Sequence, residues 1–176
     1  MDHEMVRLIE PLIPALRRYA RALMRERAAA DDLVQDCLER AISRWHQRRH
    51  ESDARAWIFT ILHNLAMTRL RRSAQRPVHV ALDDADAANL SLAATQEDGL
   101  RHRELLAALA QLPEEQRTVL LLVTVEELSY AETARVLDVP IGTVMSRLSR
   151  ARERLARLMS AEPRATLSPP YLRSVK

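Results

Sequence analysis

The stretch YAETARVLDVPIGTVMSRLSRARERL, Tyr130 to Leu155, changes character halfway along. Its first part reads as a short helix. Ser129 stands just before it and Glu132 three residues on, the capping-box spacing in which each side chain satisfies a backbone N–H that the first turn leaves unpaired. Asp138 to Gly142 forms a turn, because Asp tolerates the left-handed conformation that ends a helix. Beyond it, Pro140 to Arg157 carries five Arg against one Glu.

A helical wheel sorts that second half. Val144, Leu148, Ala151, Leu155 and Leu158 gather in one sector, while Ser146, Ser149, Arg150, Glu153 and Arg157 lie opposite. One face is built to pack and the other to be presented. Thr143, Ser146 and Ser149 are small enough to let the backbone approach a flat partner, and Arg supplies phosphate contacts and bidentate recognition of guanine. That is the chemistry of a helix lying in a DNA major groove. A solvated helix whose arginines only keep it soluble is the bland alternative. The short helix before it, with Ala134 small enough for a close crossing, favours a helix-turn-helix.

Working outward, four helices fit the region around this stretch, at roughly 100–111, 114–125, 129–137 and 141–159. Pro113 suits a first turn, with Glu114 and Glu115 where the helix dipole favours acid. Three more fit the first part of the chain, at roughly 5–26, 29–48 and 53–72. In the second of these Leu33, Val34, Cys37, Leu38, Ala41, Ile42 and Trp45 share one half of the wheel, and Asp32, Gln35, Asp36 and Glu39 the other. Asp31 or Asp32 is the expected N-cap. In the third, Ile58, Ile61, Leu62 and Leu65 face inward, while Thr60, His63, Asn64, Met67 and Arg71 are presented.

Between Ser73 and Gly99 the periodicity stops. A structureless stretch that long argues for two modules rather than one compact domain. The expectation is an all-α chain of two small helical domains, 1–73 and 100–160, joined by a flexible acidic linker at 74–99 and followed by a Pro-rich tail at 161–176. A single Phe and two Gly in 176 residues agree, since sheets need more aromatic residues and more turn glycines.

Charge is segregated along the chain, although the net value is only +3. Arg44 to Arg76 carries eight Arg against one Glu and one Asp, and Asp83 to Asp98 is acidic with no basic residue. Two basic blocks around an acidic connector suit a nucleic-acid partner better than the sum does. Cys37 is the single cysteine, so no intrachain disulfide forms; its expected role is that of a small buried hydrophobe in a reducing cytoplasm. MDHEMVRLIE lacks the pattern of a signal peptide, and the longest apolar run, Val119 to Val125, is far below the roughly 20 residues of a membrane span. A soluble cytoplasmic protein without membrane insertion is expected. There is no Gly-rich phosphate loop or nucleophile elbow, and the six histidines form no ligand cluster with Cys37, so no enzyme, cofactor, metal or small-molecule substrate is expected.

LSYAETARVLDVPIGTVMSRLSRAR resembles the C-terminal DNA-binding region of the extracytoplasmic-function (ECF) group of bacterial sigma factors, within the sigma-70 family, and LAQLPEEQRTVLLLV the helix pair leading into it. AADDLVQDCLERA resembles the family's core-polymerase-binding helix, and ARAWIFTILHNLAMTRLRR its minus-10 recognition helix. The resemblance implies a protein that binds core RNA polymerase, directs it to promoter DNA and is held by an anti-sigma factor. It implies core-polymerase contacts at Asp32, Gln35, Asp36 and Glu39. Minus-10 contacts fall on Asn64, Arg69, Arg71 and Arg72, with Trp57 either a stacking platform for an extruded base or a packed core residue; the loop His46–Asp53 corresponds to one that captures a flipped base. Minus-35 contacts fall on Thr143, Met145, Ser146, Ser149 and Arg150, with Arg147, Arg152 and Arg154 for phosphates. Asp83, Asp84 and Asp86 of the linker correspond to a segment that threads the polymerase cleft. Two positions depart from the pattern: Met145 stands where Lys or Arg is common, and Thr68 where an acidic residue is common. The rival readings are a sigma-like decoy that binds an anti-sigma factor without binding DNA, and an activator that uses only its C-terminal helix-turn-helix.

Overall fold

The computed structural model describes residues 3–24, 26–48, 54–74 and 96–160. The expected base-capturing positions 49–53, the linker carboxylates Asp83, Asp84 and Asp86, and the tail lie outside the described residues. Every described element is helical. The order is α1 (His3–Ile9), a 3-10 turn (Glu10–Leu12), α2 (Ile13–Leu23), α3 (Arg27–Ser43), a 3-10 turn (Trp45–Gln47), α4 (Ala54–Ala74), α5 (Gln96–Ala110), α6 (Glu114–Leu120) running into a wide π-type turn (Leu121–Val125), α7 (Tyr130–Leu137) and α8 (Ile141–Ser160). Among the described residues, no helix is long and apolar enough to cross a membrane.

Local chemistry sets the boundaries, and several differ from the sequence reading: α3 ends at Ser43 rather than near 48, and α5 begins at Gln96, inside the expected linker. The expected first helix is broken: Pro11 and Pro14 lack backbone donors, and the chain steps through Glu10–Leu12 before α2 begins. The next helix starts at Arg27, so Asp31 and Asp32 lie a turn inside it and neither is the N-cap. Asp31 instead meets Arg21 of α2 at 3.5 Å. The α7 boundaries are as expected. The Glu132 N–H donates to Ser129 Oγ (3.2 Å), while the Ser129 hydroxyl (2.6 Å) and N–H (2.8 Å) both donate to Glu132 Oε2, and these two bonds to the carboxylate hold it below its usual range. Asp138 ends the helix in the left-handed region at φ 52°.

Helices α2, α3 and α4 close a core in which Leu16, Leu33, Cys37, Ile58, Phe59 and Leu62 have no exposed surface. Tyr19 meets Phe59 edge to face at 5.6 Å, a preferred arrangement of aromatic quadrupoles. The Cys37 thiol donates to the Ile58 carbonyl at 3.6 Å, and burial pushes it up to about 12. It is a structural cysteine with little thiolate. Around α8, Leu112, Val119, Leu120, Val144, Leu148 and Ala151 form a second cluster.

The two helical groups are packed together. Leu121, Leu122, Leu128 and Val136, all from the second half, belong to the same hydrophobic cluster as Leu16, Tyr19 and Leu62, and α7 lies along α4. The wide turn after α6 serves this contact: it places Leu121 and Leu122 in that cluster and ends at Glu126, whose N–H donates to the Leu121 carbonyl at 3.0 Å.

Candidate nucleic-acid interface

The fold presents α8 as its wheel implies. Val144, Leu148 and Ala151 are buried, whereas Ser146, Ser149, Arg150, Arg152, Glu153, Arg154 and Arg157 are exposed. Ser146 and Arg150, one turn apart, act as a unit: Ser146 Oγ donates to the Thr143 carbonyl at 3.1 Å, and the Arg150 guanidinium donates to the Ser146 carbonyl (3.2 Å) and Oγ (3.3 Å). These bonds aim the guanidinium toward the N-terminal end of α8, the end that a groove-reading helix inserts. Met145 is 54% exposed and Ile141, one turn earlier, 50%. They form an exposed apolar pair on a helix that otherwise presents Arg and Ser.

Arg147 is placed differently from the other arginines. It is half-buried and bridges to Glu115 Oε2 at 2.8 Å, tying α8 to the first turn of α6. Thr143 is also partly buried.

On α4, Asn64, Arg71 and Arg72 are exposed at the surface. Arg69 is committed elsewhere: it donates to Asp36 Oδ2 at 2.5 Å and to the Ala29 carbonyl at 3.0 Å, bracing α4 against α3. One residue expected to face polymerase and one expected to face DNA are thus each other's partner. Asp32, Gln35 and Glu39 remain exposed on α3, with Gln35 Nε2 donating to Glu39 at 3.3 Å. Trp57 is half-buried and meets Trp45 edge to face at 6.1 Å, with the Arg48 guanidinium 4.2 Å above the Trp45 ring. This aromatic pair sits at the end of α3 and the start of α4, beside the expected base-capturing loop. Thr68, the second departure, donates its hydroxyl to the Asn64 carbonyl at 2.8 Å. Thr60 does the same to Ala56, which occupies its hydroxyl on the helix itself.

His63 and Met67 correct the wheel. Both are expected on the presented face of α4, yet each is only 8% exposed. The second helical group covers them. His63 Nδ1 lies 3.1 Å from the Tyr19 hydroxyl, and His63 and Met67 line, together with Leu137, Val139 and Arg147, a cavity of about 250 Å³. The sequence reading also missed Arg18, Arg55 and Glu126. Arg18 donates from Nε to Glu126 Oε1 (3.3 Å) and from Nη2 to Oε2 (2.9 Å), and Arg55 donates to the Glu126 carbonyl. Burial pushes the Glu126 carboxyl above its usual range, against the hydrogen bond and charge of Arg18 and the charge of Arg55. Nothing in the run EELS distinguishes this glutamate from its exposed neighbour Glu127.

Comparison with known proteins gives matches in two stretches of the chain. A family model described as "Sigma-70, region 4" matches residues 102–155, and one described as "Sigma2 domain of PhyR" matches residues 9–63. The chain is 37% identical over 147 residues to the ECF RNA polymerase sigma factor EcfG of Rhodopseudomonas palustris, covering 84% of this chain and 80% of that protein. It is 36% identical over 144 residues to the ECF RNA polymerase sigma factor SigM of Mycobacterium tuberculosis, covering 82% and 71%. Among solved structures, the sigma factor RpoE in complex with the anti-sigma factor NepR from Bartonella quintana superposes with a TM-score of 0.72 at 30% identity, covering 90% of this chain and 99% of that one.

Proposed function

This chain belongs to the ECF RNA polymerase sigma factors of the sigma-70 family, and from that premise we propose how its residues divide the work of promoter recognition. Residues 1–73 bind core RNA polymerase and the minus-10 element, residues 100–160 bind the minus-35 element, and residues 74–99 connect them. The observation that carries this reading is the split of α8, with Val144, Leu148 and Ala151 inside and Ser146, Ser149, Arg150, Arg152 and Arg154 outside. Arg150 reads a base edge with Ser146 steering it, Arg152 and Arg154 bind phosphates, and Arg147 holds α8 in place through Glu115. A sigma-like decoy has no use for that exposed basic face. An activator using only the helix-turn-helix has none for the exposed acids of α3.

On α4 the DNA contacts are Asn64, Arg71 and Arg72, with Arg69 bracing the helix through Asp36, and Trp57 and Trp45 forming an aromatic edge beside the melted bases. The exposed Asp32, Gln35 and Glu39 meet core polymerase. The partners are therefore core RNA polymerase, promoter DNA and an anti-sigma factor. The last is supported by the 30% identical sigma factor whose structure contains NepR.

Arg150→Ala is expected to weaken promoter binding by on the order of 1–3 kcal/mol and relax the preference at one base pair. A duplex titration of the holoenzyme checks both, and an unchanged affinity with an unchanged base preference removes the assignment. Met145→Arg exchanges an apolar contact for a guanidinium, so selection from a randomised minus-35 element should move from a thymine-bearing pair toward a guanine. Reversing charge at Asp32 and Glu39 together is expected to weaken core binding roughly tenfold while leaving free-protein stability within about 0.5 kcal/mol, since both are exposed. A core titration that matches the unsubstituted protein counts against the α3 interface.

A further inference from the structure

The side chain of Arg48 is only 7% exposed, although it belongs to the basic block Arg44 to Arg76 that the sequence offers to DNA. Its backbone N–H donates to the Trp45 carbonyl at 3.2 Å, closing the 3-10 turn Trp45–Gln47. Its guanidinium carbon lies 4.2 Å from the centre of the Trp45 ring, well inside the distance of about 6 Å at which a cation is drawn to an indole face. Its Nη2 donates to Glu4 Oε1 at 3.2 Å, 44 residues earlier in the chain. Taking a guanidinium out of water is costly unless a partner compensates, and here a carboxylate and a ring both do. The Glu4 side chain is 47% exposed, and a pair so open to solvent contributes little to stability. Its effect is geometric.

Glu4 is itself well anchored. It stands on α1, whose Met5 and Ile9 are buried in the core shared with α4, so the helix cannot swing away without exposing both. Trp45 has less support, because it belongs to a three-residue turn at the end of α3. Its ring is set by Arg48 and by Trp57, which it meets edge to face at 6.1 Å. Trp57 lies in the first turn of α4, the helix proposed to read the minus-10 element. A line of contacts therefore runs from Glu4 through Arg48 and Trp45 to Trp57.

We infer that Glu4 and Arg48 are positioning residues for promoter melting: together they hold Trp45 as a backing for Trp57, in the orientation in which Trp57 stacks on a base extruded from the minus-10 element. The contacts stand on geometry; the role in melting rests on the sigma-factor reading. A base that leaves a duplex loses the stacking of its neighbours, and a ring already held in place restores part of it without first giving up its own rotational freedom. Strand opening is the step that gains. Initial binding to the duplex, carried by groove and phosphate contacts, does not depend on it.

Glu4→Gln tests this in the full chain and its holoenzyme, because it removes the charge and keeps the size at a residue outside the proposed DNA and core contacts. Trp45 and Trp57 are the two tryptophans of the chain, so indole fluorescence of the free protein reads this pair alone. The expected result is stronger quenching by acrylamide with unchanged helix content. With it should come a promoter-opening rate about fivefold lower at saturating holoenzyme, an unchanged half-saturating concentration, and full recovery on a template whose minus-10 bases are already unpaired. Arg48→Gln should cost at least as much, and the double substitution no more than Arg48→Gln alone, since Glu4 acts through the guanidinium. Unchanged quenching or an unchanged opening rate overturns the positioning role. So does an equal loss on paired and unpaired templates, the mark of a fold that is merely weakened. Tighter duplex binding by Glu4→Gln also overturns it, because the carboxylate would then be withholding Arg48 from phosphate. If the unsubstituted chain starts no transcription with core polymerase on either template, the sigma-factor reading falls and takes this role with it.

Discussion

Leu148→Ala is expected to lower the unfolding free energy by about 2–5 kcal/mol, the range for emptying a buried leucine site. Leu148 is 2% exposed at the centre of the cluster formed with Val119, Leu120, Val144 and Ala151. The loss should exceed what the deleted atoms alone account for, because α6 and α8 meet across this residue and the neighbours that could collapse into the gap are mostly short. The functional consequence follows from geometry: with its packed face loosened, α8 no longer holds Ser146 and Arg150 at a fixed angle. Urea unfolding followed by circular dichroism measures the loss, and Leu148→Met, which nearly conserves volume, should cost less than about 1.5 kcal/mol. A Leu148→Ala variant as stable as the unsubstituted protein contradicts the placement of the packed face.

Acid should destabilise the fold through His63. Burial, aided by the positive charge of Arg71, pushes its imidazole down from 6.5 to about 4. Burial pushes the Tyr19 hydroxyl in the opposite sense, well above its usual range, so it keeps its proton, with its oxygen 3.1 Å from Nδ1. The buried imidazole is neutral. Because the folded value lies below the unfolded one, folded protein binds fewer protons. The stability that this provides is complete above about pH 6.5 and is lost as pH falls toward 4, by on the order of 3 kcal/mol. Glu126 runs the other way: its raised folded value makes its contribution largest in acid and smaller as pH rises through that value. The difference between the stability curves of the unsubstituted protein and His63→Gln isolates the histidine. That difference should have its slope between pH 6.5 and 4, and a flat one would place His63 in solvent.

How much of this was legible in the sequence depended on distance along the chain. The Ser129–Glu132 box, the left-handed Asp138 and the two faces of α8 are set by neighbours within a turn or two, and all three are in the structure as read. The break before α2 was equally local: Pro11 and Pro14 are breakers, overlooked because the apolar spacing continues across them. His63 and Met67 failed for a different reason. A wheel ranks the faces of one helix, and both side chains serve in cores as well as on surfaces, so their burial waited on α7, more than 60 residues away. Charge pairing was beyond reach in the same way. Arg69 with Asp36, Arg147 with Glu115 and Arg18 with Glu126 use residue types that sequence reading assigns to solvent or to DNA. The packed and presented faces of α8 were therefore legible in the sequence and those of α4 only in part, and an arginine that braces a helix looks the same there as one at the surface.

The most direct measurement is run-off transcription by core RNA polymerase with and without this protein on a pooled promoter library, with the initiated transcripts sequenced. The expected result is initiation that depends on the protein and is confined to templates sharing two elements at a fixed spacing. Absence of both core binding and initiation would contradict it.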